Sequence, residues 1–206
     1  SAASDVYKRQ MQTDAREAFD IAGEKPETVA KYGANAQGRQ MLIARRLLER
    51  GVRFVQVRQG GWDLHGGIAQ RAANNARQLD PAIGAIMDDL KERGLFEDTL
   101  IYITSEFGRS PTEDGGGGRS HNARGLSTVL MGGGIKGGIA YGSTDEIGGA
   151  AVENKVHVKD IHATVMDLLG FDHEQLTYRT AGRDFRLTQA TRSLPQGGMP
   201  VKGIIA

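Results

Sequence analysis

Four side chains of metal-ligating type recur in similar settings along the chain. Asp63 and His65 stand two positions apart in G-G-W-D-L-H, just past the β-branched and aromatic run V-R-F-V-Q-V. Glu106 follows the apolar run T-L-I-Y-I-T, and His121 lies beyond a Gly-rich segment in G-R-S-H-N. Carboxylate and imidazole together suit zinc, manganese or iron, whereas magnesium or calcium favours oxygen alone. One or two such ions would activate a water or a side-chain nucleophile and offset the charge of a phosphate or sulfate. Arg109 and Arg119 are of the right type to clamp such an anion bidentately.

Each of these residues has a plainer alternative. A D-x-H pair is common by chance on a surface. Glu106 could pair with Arg109, Arg119 with Asp114, and His121 could be an ordinary loop histidine. His157, His162 and His173 read as structural or exposed. Trp62 reads as a buried anchor, with stacking on a substrate as the alternative. The run Gly115–Gly118 lacks the following Lys-Ser/Thr and helix start of a phosphate cradle, so it reads as a flexible loop.

These side chains need a scaffold, and the composition permits one. The chain has 206 residues, enough for one sizeable domain or two small ones. Its formal net charge of +1 gives no nucleic-acid or membrane-surface footprint. With no cysteine there is neither a disulfide framework nor a thiolate metal site. No apolar run approaches the length of a membrane span. The 29 glycines imply many loops.

The periodicities predict an alternation of helices and strands. Residues 1–10 read as a disordered or non-native tail. Thr13-Asp14 could cap a short helix through Ile21, and Pro26 to Tyr32 could add another. Asn35 to Arg50 has apolar residues at threes and fours and a glycine stop, so it reads as an amphipathic helix, with Arg45 and Arg46 on a solvated face. Residues 52–57 then read as a strand. A long helix is expected from Gly67 to Arg93, kinked or broken just before Pro81. Thr99 to Thr104 resembles a strand buried on both faces, usually a parallel one. This βαβ pattern predicts an α/β fold with a mixed, mainly parallel sheet flanked by helices, whose strand ends would gather Asp63, His65, Glu106 and His121. Further on, 126–131 is a strand candidate, 135–141 a hairpin arm, and 143–154 an irregular loop. A helix opens at Lys159 or Asp160 and ends at Gly170, 185–187 is a last short strand, and 189–206 is a flexible tail.

The ordered series A-F-D-I, Y-G-x-N, L-I-A-R-R-L-L-E-R-G-V-R-F-V-Q-V, G-W-D-L-H, D-T-L-I-Y-I-T-S-E-F-G-R-S-P, G-R-S-H-N, M-G-G-G-I-K-G-G-x-x-Y-G-x-T-D, D-I-H-A-T-V-M-D-L-L-G and G-R-D-F-R-L resembles the bacterial domain-of-unknown-function family 1501, over roughly Met11 to Thr188. That family is similar to the alkaline phosphatase and sulfatase superfamily. The resemblance implies an alkaline phosphatase-like sheet with a two-metal site and a metallohydrolase acting on a small anionic phosphate or sulfate ester. It makes Asp63 and His65 ligands of one metal, zinc or manganese. It sets Glu106 where the superfamily has the Asp of T-S-D-H-G, and makes His121 the later histidine ligand. Phe107 replaces the His of that motif, and Ser120 stands where the family usually has Asp. Relatives often carry a twin-arginine export signal, which implies an exported or periplasmic protein. Their early strands carry the first ligand and the nucleophile, so residues 11–188 read as the C-terminal portion of such a domain, with its N-terminal part missing and the nucleophile upstream. A non-catalytic binding or structural module is the alternative.

Overall fold

The computed structural model describes residues 16–192 and 195–206, so the expected tail over 1–10 and the cap at Thr13-Asp14 lie outside the described residues. The chain divides into two compact units. The first comprises residues up to Phe96 together with Glu113–Ser120, and the second comprises Glu97–Thr112 together with His121–Ala206.

The first unit is helical. Residues 16–19 belong to α1, and α2 (Pro26–Tyr32), α3 (Ala36–Glu49) and α4 (Ile68–Glu92) follow. Helix α3 starts where the Asn35 side chain accepts hydrogen bonds from the Gln37 and Gly38 amides, satisfying two donors that a helix start leaves orphaned. Helix α4 runs uninterrupted through Pro81, where a kink or break is expected from sequence. Its buried stripe of Ala82, Ala85, Ile86 and Leu90 packs with Tyr32, Leu42 and Ala44 into the core of this unit. That packing outweighs the hydrogen bond that proline removes.

Charge is built into the same core. Arg45, read from sequence as part of a solvated face, is only 3% exposed. Its guanidinium lies 2.8 Å from the Glu24 carboxylate, 2.8 Å from that of Glu49 and 3.5 Å from that of Asp89. The buried Tyr32 hydroxyl donates to Asp89 at 2.8 Å. Arg46 pairs with Glu24, and Arg93 with Glu49. Helical spacing predicts Ile86 and Leu90 on the apolar face, but it misses Ala82 and Ala85 and does not show that α4 brings a carboxylate to Arg45. Burial and the Asp89 acceptor push the Tyr32 phenol far above its ordinary value. Burial alone would raise the Glu24 carboxyl, but hydrogen bonds from Arg46 and Arg45 outweigh it and hold the group below its usual range.

The second unit carries short strands. β1 (Ile101–Ile103) pairs antiparallel with β4 (Val129–Met131), with Tyr102 opposite Leu130. β5 (Ser143–Thr144) pairs with β6 (Ala151–Glu153), and β7 (Thr177–Thr180) with β8 (Arg183–Arg186). β2 (Gly108–Glu113) and β3 (Arg119–Asn122) form a fourth pair, within which the boundary between the units falls. Helix α5 (Val158–Leu168) buries Ile161, Ala163 and Thr164. It opens on a capping box: the His157 ring accepts from the Lys159 amide, and the Asp160 carboxylate accepts from the His157 amide.

The mainly parallel, alkaline phosphatase-like sheet is therefore overturned. The described strands form four separate two-stranded antiparallel sheets, and no pair is parallel. An apolar run identifies strand character but not the strand's partner, and β1 finds its partner in β4. Residues 52–57 have no strand assignment, and Phe54 there is 82% exposed. The expected irregular loop at 143–154 contains the β5–β6 pair. The end of the chain, expected to be a flexible tail, is tied down: Val201 N–H donates to the Thr164 hydroxyl, Ala206 N–H to the Gly134 carbonyl, and Ile205 bridges to Ile135. No helix among the described residues is long and apolar enough to cross a membrane.

Replacing Arg45 with Ala leaves Glu24 and Asp89 without their buried counter-charge, and should cost about 3–5 kcal/mol in urea unfolding. Because the folded Glu24 carboxyl titrates below its unfolded value, its contribution is present above the ordinary carboxylate range. It is lost as pH falls through the depressed folded value. Urea midpoints measured across the acid range should therefore fall less steeply for Glu24→Gln than for the wild type.

Candidate metal centre

The segment around Asp63 is positioned by one apolar anchor. Leu64 is 2% exposed, while Asp63 and His65 on either side of it both face solvent. Upstream, the Asn75 side chain of α4 donates to the Gly61 carbonyl at 2.6 Å. The Asn75 backbone carbonyl accepts from the Gln59 side chain, and Gln59 in turn accepts from the Trp62 indole. Trp62 is 37% exposed, so it is a half-exposed clamp rather than a buried anchor.

The Gly-rich stretch fastens the other side. Gly115, Gly116 and Gly117 take φ of +74°, +56° and +71°, conformations that side chains with a Cβ rarely adopt. The stretch is an ordered strap, not a flexible loop. Its Gly116 and Gly117 carbonyls accept from the Gly67 and Ile68 amides at the start of α4, and the Arg119 amide donates to Leu64 at 3.0 Å. Gly118 approaches so closely that an added Cβ would collide with the His65 backbone.

The strap delivers Asp114, a residue absent from the sequence-based site. Its carboxylate lies 2.9 Å from His65 Nδ1, while the Asp63 carboxylate lies 3.1 Å from His65 Nε2. The imidazole thus stands between two acids. Only the Gly-rich spacing hinted at this, since three consecutive left-handed glycines turn the chain sharply and send what flanks them back onto a neighbour. Donors of a tetrahedral zinc, each at its usual ~2.0–2.2 Å, sit roughly 3.4 Å apart. The Asp63–His65 separation is close to that, so the pair fits joint ligation of a divalent ion.

The remaining candidates divide between the units. Arg119 belongs to the first, where it donates to the Gly118 carbonyl and lines an open groove with Glu113 and the first turn of α4. Glu106, Arg109 and His121 belong to the second. The sheet-edge convergence expected from a parallel fold does not supply their placement. His121 lies in strand β3 rather than in a loop, and its ring stacks on Phe107 with centroids 4.1 Å apart. The Arg109 guanidinium lies 5.6 Å from the same Phe107 ring. Glu106 is exposed and makes no ion pair or hydrogen bond among the described residues, so it does not pair with Arg109. The other histidines are structural or exposed: His157 caps α5, His173 hydrogen-bonds the buried Thr188, and His162 faces solvent.

Gly118→Ala forces the strap off the His65 backbone and should cost about 1–3 kcal/mol in denaturant unfolding. The same variant should shift the His65 ring resonances, reporting the displaced Asp114.

A family model described as a protein of unknown function (DUF1501) matches residues 1–196. No curated protein matches the chain, and no solved structure does. With all but the last ten residues covered by that model, the chain belongs to the DUF1501 family.

Proposed function

We propose that Asp63 and His65 hold a divalent ion, zinc or manganese, and that the site serves hydrolysis of phosphate or sulfate esters. The carrying observation is the 3.1 Å approach of the Asp63 carboxylate to His65 Nε2. Two groups that both accept hydrogen bonds meet stably only around a shared proton or a cation. When bound, the metal would polarise the ester and lower the pKa of a coordinated water. Arg119, in the open groove beside the first turn of α4, would bind the anionic group of the substrate. The resemblance of the G-W-D-L-H, S-E-F-G-R and G-R-S-H-N segments to the alkaline phosphatase and sulfatase superfamily supports ester hydrolysis. This reading rests on those side chains and not on the sheet.

A second reading has its own observation. Phe107 stacks on His121 in the position where the superfamily motif carries another imidazole. A site short of that ligand would bind metal or anion without turnover.

Calorimetric titration with Zn2+ and Mn2+ should show binding that Asp63→Ala and His65→Ala each abolish. Hydrolysis of p-nitrophenyl phosphate or p-nitrophenyl sulfate by the metal-loaded chain, lost in the same variants, selects the hydrolase. Metal binding without turnover selects the second reading, and binding that survives both substitutions removes the site altogether.

A further inference from the structure

We infer that Asp114 is the positioning residue for His65: it accepts the Nδ1 proton and so presents Nε2 as the ligating nitrogen toward Asp63. The inference rests on the metal reading for its function but on geometry for its substance. His65 Nδ1 lies 2.9 Å from Asp114 Oδ2, within ordinary hydrogen-bond range, and Nε2 lies 3.1 Å from Asp63 Oδ1 on the other side of the ring. An ionised carboxylate has no proton to give, so the proton of this hydrogen bond belongs to the imidazole. The same placement turns Nε2 toward Asp63, where an ion would take the place of the proton shared between them, as a carboxylate–histidine–metal relay requires.

The backbone supports the same assignment. Asp114 N–H donates to Gly118 O at 3.1 Å, Gly118 N–H to Gly115 O at 3.1 Å, and Gly117 N–H to the Glu113 carboxylate at 2.8 Å. These bonds close the strap on itself, and its bonds to Leu64, Gly67 and Ile68 fix it to the segment that carries His65. Asp114 is therefore held in place by backbone on both sides of the imidazole. Glu113 is committed to the turn, which separates the roles of two adjacent acids.

The test is a two-bond proton–nitrogen correlation spectrum of the histidine rings in the full 206-residue chain without metal, with His65→Gln identifying the His65 signals. The wild type should show Nδ1 of His65 carrying a proton. Asp114→Ala should move the ring toward the Nε2–H form that imidazole prefers in water, and should weaken Zn2+ binding about 10–100-fold. Asp114→Glu should restore part of both. Asp114→Asn keeps the size of the side chain and should give an intermediate loss, which guards against a mere failure to fold. A His65 tautomer unchanged in Asp114→Ala overturns the inference, whatever zinc does. A wild type that binds no Zn2+ yet loses the Nδ1–H signature in Asp114→Ala removes the metal reading and leaves the hold of Asp114 on the imidazole in place.

Discussion

The candidate centre depends on a backbone clasp. Three amide-to-carbonyl bonds join the stretch 64–68 to the stretch 116–119, from Arg119 to Leu64, from Gly67 to Gly116 and from Ile68 to Gly117. The clasp closes only because Gly118 has no side chain and because three glycines before it accept positive φ. Two segments some fifty residues apart in sequence are thereby held in register. The side chains that matter chemically, Asp63, His65 and Asp114, are passengers on it. Their exposure means that they contribute little to stability themselves, so their geometry has to be set by backbone.

The clasp also serves α4. That helix begins at Gly67, which has no side chain to cap the first amides. Carbonyls of the Gly-rich strap accept the Gly67 and Ile68 N–H groups instead. The start of the longest helix and the placement of the candidate ligands are thus one event. The far end of α4 is fixed differently, through Asp89 to Tyr32 and Arg45 inside the helical core. A perturbation of the charged cluster and one of the strap therefore act on the same helix from opposite ends.

What could be read from sequence follows from how local each determinant is. Helices α3 and α4 were legible to within a residue or two, because apolar spacing and glycine stops are local signals. The pair Asp63 and His65 was legible as a candidate because the alternation around Leu64 is local too. The sheet was not, because T-L-I-Y-I-T carries strand character without specifying β4 as its partner or the antiparallel sense of the pair. Asp114 was missed for a related reason: its value comes from a contact 49 residues away in sequence, made by a strap that composition alone presents as a loose loop. Arg45 was misplaced because an arginine at helical spacing looks solvated until its three carboxylate partners, supplied from elsewhere, are counted.

The stretch 52–58 carries a further consequence. It is rich in valine, it has no ladder partner among the described residues, and it exposes the Phe54 ring almost completely. Such a ribbon offers its amides and carbonyls to any other chain that arrives with the same pattern. The cations at Arg53 and Arg58 bracket it, and like charges brought together by self-stacking would repel. Colloidal behaviour should therefore turn on ionic strength: salt that screens those two cations removes the restraint on stacking, and concentrated solutions keep best when dilute in electrolyte.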